Sequence, residues 1–132
     1  MNKIVRWILV VPAALAAAAA VSIVLMLVWY VTSRFNIVSH DDVISVGLAT
    51  IGTNVVPAWA AVNAGVKVAP VNTRAVRIGV GAVIAGAAIV LYVLGLSFHP
   101  YASMLWHTLG TIAWVIGAAM GVVGSGKPRA NA

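Results

Sequence analysis

Cysteine is absent from this chain of 132 residues. That removes disulfides, thiolate metal centres, iron–sulfur clusters and cysteine nucleophiles. Acidic residues are almost as scarce, with Asp41 and Asp42 the only two. Charged residues make up 8% of the chain, where a soluble domain carries about a quarter. None of them interrupts the four longest apolar runs. Proton-coupled transport ordinarily needs an ionisable group inside a span. Small four-helix drug/proton antiporters centre on a membrane-buried carboxylate, so likeness to them in size and span count does not carry over.

What is present is apolar: 63% of the residues are hydrophobic and the mean hydropathy is +1.07. A chain this short could not hide so much apolar surface in a core of its own. Lipid is the solvent that fits. The expected fold is all-α: a single four-helix transmembrane domain over 1–132, with no soluble domain. The spans are expected at about 7–31, 43–66, 78–96 and 104–123.

The first run, Trp7–Val31, is bracketed by Trp7 and the Trp29–Tyr30 pair, as interfacial aromatic belts are. Pro12 falls in its first turns, where proline is tolerated. A cleaved signal peptide would use Lys3, Arg6 and a small-residue site such as Ala16–Ala18. The apolar run continues well past that site, beyond the roughly 7–15 residues of a signal core, so an uncleaved span is expected. Thr32–Asp42 reads as a polar loop in which Asp41 or Asp42 caps the next helix. Lys67–Arg77 reads as a loop punctuated by Pro70 and basic residues. Ser97–Ser103 is a brief turn, and Gly124–Pro128 ends the last helix.

Net charge is +6 and the isoelectric point near 10.6. In a soluble domain these values would raise nucleic-acid binding. Here the charges sit in short connections. Lys3, Arg6, Lys67, Arg74, Arg77, Lys127 and Arg129 fall in one set, and Arg34 alone in the other. Seven against one places both termini and the middle loop in the cytoplasm. It also supports an even number of spans. The expected location is a bacterial cytoplasmic (inner) membrane, in a multi-pass arrangement with no nucleic-acid partner.

Small residues recur at helical spacing. Gly110, Ala113, Gly117, Gly121 and Gly124 share one face of the fourth run; Gly79, Ala82 and Gly86 share one of the third; Gly47, Thr50, Asn54, Ala58, Ala61 and Gly65 one of the second. Close packing of such residues drives helix association in lipid. Three stripes are more than one bundle needs, so a homo-oligomer or a larger membrane-protein partner is expected beside internal packing. Leu48-Ala-Thr-Ile-Gly echoes Leu109-Gly-Thr-Ile-Ala, a hint that two hairpins repeat in parallel.

The second run is the most polar, with Thr50, Thr53, Asn54, Pro57 and Asn63. Pro57 deprives the Thr53 carbonyl of its donor. The neighbouring hydroxyls and the Asn54 amide are expected to satisfy freed backbone groups, and Asn54 itself must find a partner. A channel or small transporter lined by Thr50, Thr53, Asn54 and Asn63 is one alternative function.

Other chemistry is thin. Gly121–Lys127 resembles the start of a phosphate loop, but Pro128 stands where Ser or Thr should bind magnesium and no helix follows. Gly79, Gly81 and Gly86 have the wrong spacing for a dinucleotide fingerprint, and no Asn-x-Ser/Thr site exists. His40, Asp41, Asp42, His99 and His107 all fall near the outer face, and imidazole and carboxylate suit zinc, copper, iron or haem. Polar residues also collect at interfaces because lipid excludes them, so these histidines are weak metal candidates and no cofactor is expected. Ser103 and His107 share a helix face, but nothing evident orients the imidazole, and no enzyme is expected. The leading expectation is a small non-enzymatic accessory or regulatory subunit acting by helix–helix contacts. A holin-like membrane-permeabilising protein is the other alternative.

Overall fold

The structure, a computed structural model, describes residues 2–35, 37, 42–96 and 104–125. It is all-helical. The elements are α1 (Lys3–Arg34), α2 (Val43–Val68), α3 (Arg74–Leu96) and α4 (Met104–Gly124). All four are long and apolar enough to cross a membrane.

The helices outrun the apolar runs that predict them, chiefly at α1 and at the start of α3. Hydropathy ends where charge begins, whereas a helix ends where its backbone is capped. The Asn2 side chain accepts from the Ile4 amide at 3.3 Å and starts α1. At the other end Thr32 and Ser33 do not open a loop. Their hydroxyls donate back to the Val28 and Trp29 carbonyls at 2.7–3.0 Å, and the helix runs on to Arg34. Its 32 residues span about 48 Å at 1.5 Å per residue. Pro12 consequently lies in the helix interior rather than in its first turns. The basic loop shrinks in the same way: α2 extends through Lys67 to Val68 and α3 begins at Arg74, with the Thr73 hydroxyl accepting from the Val76 amide. Asp42 caps α2, taking the Ile44 amide at 3.2 Å and the Ser45 hydroxyl at 3.1 Å. Asp41 lies outside the described residues.

The start of α1, the end of α2, the start of α3 and the end of α4 share one end of the bundle. Lys3, Arg6, Lys67, Arg74 and Arg77 all lie there and make it the basic end. Arg34, Asp42 and His107 lie toward the other.

Packing is not that of a simple up-and-down ring. α2 is the hub, touching α1, α3 and α4, while α3 also packs on α4. Among the described residues no Cα of α1 comes within 8 Å of a Cα of α3 or α4. α2 and α4 run parallel and side by side, with Gly47 opposite Trp106, Asn54 opposite Gly110 and Val62 opposite Gly121. The two segments that echo each other in sequence therefore lie on adjacent parallel helices. The buried cluster sits toward the basic end, formed by Val10, Ala14, Val62, Val66, Val80 and Ala118 with their neighbours. No described residue of α1 beyond Ala18 is buried. Arg6 ties α1 to α2 at this end. Its guanidinium donates to the Val68 and Ala69 carbonyls, both at 3.0 Å, at the negative end of the α2 dipole, where the last carbonyls lack helical donors.

Candidate functional site

α2 and α4 approach closely because α4 presents hydrogen where other residues carry Cβ. Gly117 faces the carbonyl group of Val55 so tightly that any Cβ would collide with it. A methyl on Gly121 would lie 2.7 Å from Val62 Cβ and 3.2 Å from the Trp59 carbonyl oxygen. Gly110 leaves room for the Asn54 amide, 3.2 Å from where its Cβ would be. Gly65 lies where three helices converge, its Cβ position 3.0 Å from Val80 and 3.5 Å from Val10. Gly47 is in ordinary contact with Trp106 at 3.9 Å.

The glycine stripe picked out on α3 behaves differently. Nothing lies within 4 Å of a Cβ on Gly79 or Gly86. Gly81, about 200° around the helix from Gly79, is the one that packs, against Val122 and the Ala118 carbonyl. Two small-residue stripes run along α3, Gly79–Ala82–Gly86 and Gly81–Ala85–Ala88. The spacing of small residues alone does not choose between them.

The polar residues of α2 spend their donors on their own helix. Thr50 donates to the Val46 carbonyl at 2.8 Å and Thr53 to that of Ala49 at 2.7 Å. Asn54 donates to the Thr50 carbonyl at 2.7 Å, and Asn63 to that of Trp59 at 2.8 Å. None of these bonds goes to the Thr53 carbonyl, which Pro57 deprives of its donor. The expectation that the nearby side chains repair that site is corrected here. A short side chain bonding backward reaches the turn before its own Cα, and Thr50, Thr53 and Asn54 accordingly bond carbonyls preceding Thr53.

Hydrogen bonds of Trp114 and Thr108 link α4 to α3. The Trp114 indole donates to the Ile84 carbonyl at 3.1 Å, and the Tyr92 and Thr108 hydroxyls are 2.9 Å apart. Tyr92 and Trp114 are the residues that reasoning from sequence overlooked. The available signal was amphipathic aromatics placed within spans, where a polar tip must find a partner.

His107 rests against α3 at Gly95, with its Cε1 3.5 Å from the position a Gly95 Cβ would take. His40 and His99 lie outside the described residues, as do Asp41 and Ser103. Among the described residues no group of three or more His, Cys, Asp or Glu side chains is placed to hold a metal.

A cleft of about 600 Å³ lies between α1 and α3, with α2 and α4 behind it. Asn54, Tyr92, Trp106, His107, Thr111 and Trp114 line it together with alanines of α1, α2 and α3.

Comparison of the chain with protein-family models, with curated proteins and with solved structures finds no match in any of the three.

Proposed function

We propose that this chain is a small non-enzymatic accessory or regulatory subunit of a bacterial cytoplasmic membrane, docking on a larger membrane protein through helix–helix contacts. It spans the bilayer four times with both termini in the cytoplasm. The basic end faces that side, as the distribution of Lys and Arg favours.

The outward face of α3 is the observation that carries the reading. Gly79, Ala82, Val83 and Val90 are exposed, and Gly86 has open space where its Cβ would be. Facing lipid, glycine offers nothing that leucine would not supply better, and it costs up to about 1 kcal/mol of helix propensity. Facing another helix, it permits the close backbone approach on which association in lipid depends. The glycines of α4 already show that use inside the bundle.

Internal use of Gly117 and Gly121 decides which residues test the idea. Enlarging either would disturb the bundle itself. Gly79→Leu combined with Gly86→Leu leaves the bundle intact and blocks the outward face. Gentle detergent purification followed by native mass spectrometry should show a stoichiometric membrane-protein partner on the unaltered chain. That partner should be lost from the double variant. Equal retention of the partner by the double variant would remove α3 as the docking face.

A further inference from the structure

The cleft between α1 and α3 is polar at one end and apolar at the other. Toward the basic end it is lined by Ala14, Ala18, Ala61 and Ile84; toward the opposite end by Tyr92, Trp106, His107 and Thr111. Convergence of Val10, Gly65 and Val80 closes it below. Among the described residues no Asp, Glu, Lys or Arg lines it.

Its volume comes from short side chains, alanine on α1, α2 and α3 and Gly110 on α4. Two of the large rings beside it are pinned. Trp114 is held by the Ile84 carbonyl and Tyr92 is bonded to Thr108, so these rings are held across α3 and α4 rather than left to fill the space. A pre-formed, mainly apolar pocket with a few converging polar groups is the usual form of a small-molecule site.

Size narrows the occupant. A volume of 600 Å³ accommodates roughly 20 methylene groups, each close to the ~30 Å³ share of a water molecule. A helix about 10 Å across would displace roughly 1,200 Å³ over each 15 Å of its length. The space enclosed between the helices therefore seats one hydrocarbon chain, whereas the body of a second copy's helix would have to stand outside it. Polarity narrows it further. Among the described lining residues an ionised head would find no counter-charge, and burying an unpaired charge is costly.

We propose that the cleft binds a single-chain amphiphile with an uncharged hydrogen-bonding head, drawn from the surrounding bilayer. The tail lies along Ala14, Ala18 and Ala61, and the head meets His107 and Thr111. The site requires the chain to be in a membrane or detergent. It does not depend on a partner at the outward face of α3.

Native mass spectrometry of the full chain in detergent, titrated with 1-oleoylglycerol, tests this. Oleate and dioleoylphosphatidylglycerol serve as the charged single-chain and two-chain comparisons. One 1-oleoylglycerol should bind per chain, saturably and at least tenfold more tightly than either comparison lipid. Ala88→Leu fills the cleft and should weaken binding at least tenfold, while Ala119→Leu, which does not line it, should leave binding unchanged. Leu91→Trp is the second filling variant should the first not fold, and it should weaken binding likewise. Adducts that accumulate without saturation, equally in the filling variants, would overturn the proposal in favour of a non-specific lipid shell. Preferred binding of the phospholipid would overturn the single-chain assignment. Dissociation of a homodimer by Ala88→Leu would identify the cleft as a protein interface instead.

Discussion

Gly117 of α4 lies against the Val55 carbonyl of α2 with no space for a side chain between them. These two helices are not consecutive. They run parallel, and their contact holds the α1–α2 hairpin to the α3–α4 hairpin. This close backbone approach thus occurs where neither a loop nor an adjacent connection enforces it.

Gly117→Ala should therefore push α2 and α4 apart. Overpacking a well-packed site costs about 1–3 kcal/mol, and a backbone carbonyl yields less readily than a side chain. Thermal unfolding in detergent should show a clear fall in midpoint. Gly79→Ala makes the control. It adds a methyl into open space and should leave the midpoint unchanged or raise it slightly through helix propensity, by up to about 1 kcal/mol. Equal effects at the two positions would mean that α2 and α4 do not meet at Gly117.

Much of this arrangement is legible in the sequence, and the failures have physical causes. Apolar runs of span length locate the four helices, each long and apolar enough to cross a membrane. They locate ends less well. Thr32 and Ser33 read as loop but bond backward into α1, and Lys67 and Arg74 read as loop although both lie on helix. Spacing identifies the small faces of α2 and α4 because each has one dominant stripe. On α3 two stripes compete, and only the shapes of Val122 and Ala118 on another helix select Gly81 over Gly79. The cleft was hidden for a similar reason. An alanine that packs and an alanine that leaves space are the same letter, and which one Ala88 is depends on how far α1 stands from α3.

The Trp114–Ile84 and Tyr92–Thr108 hydrogen bonds between α3 and α4 should differ in worth. Trp114→Phe removes the indole donor that reaches across to the Ile84 carbonyl. Interhelical bonds in membranes contribute about 0.6 kcal/mol on average and up to about 1.7. Tyr92→Phe should cost less, because Thr108 keeps its bond to the Met104 carbonyl at 2.8 Å. A double-mutant cycle of Tyr92→Phe with Thr108→Val, read by unfolding in mixed detergent, should return a coupling of about 0.5 kcal/mol. A coupling of zero would show that the hydroxyl pair contributes nothing net.

Arg6 should not be replaceable by lysine without loss. Its planar fork spans two successive carbonyls, of Val68 and Ala69, and an ammonium cannot reproduce that geometry. Arg6→Lys should destabilise by about 0.5–1 kcal/mol and Arg6→Gln by more, since the residue is only part-buried and solvent compensates some of the loss. Hydrogen exchange at the amides that end α2 should quicken in both variants. Unchanged exchange there would detach Arg6 from the capping of α2.

The absence of cysteine from the chain makes its orientation directly measurable. Single substitutions Asn2→Cys, Thr73→Cys and Ile37→Cys place thiols in exposed segments, the first two at the basic end and the third beyond α1 at the other. If the basic end is cytoplasmic, a membrane-impermeant maleimide applied to intact cells should label the Ile37→Cys variant alone. The Asn2→Cys and Thr73→Cys variants should label only after permeabilisation. The reverse pattern would turn the bundle over and place its basic residues against the positive-inside rule. Labelling of the Asn2→Cys and Thr73→Cys variants from opposite sides would be more damaging. It would mean that α1 and α2 do not both cross, and the contact between Arg6 and the end of α2 could not exist in the membrane.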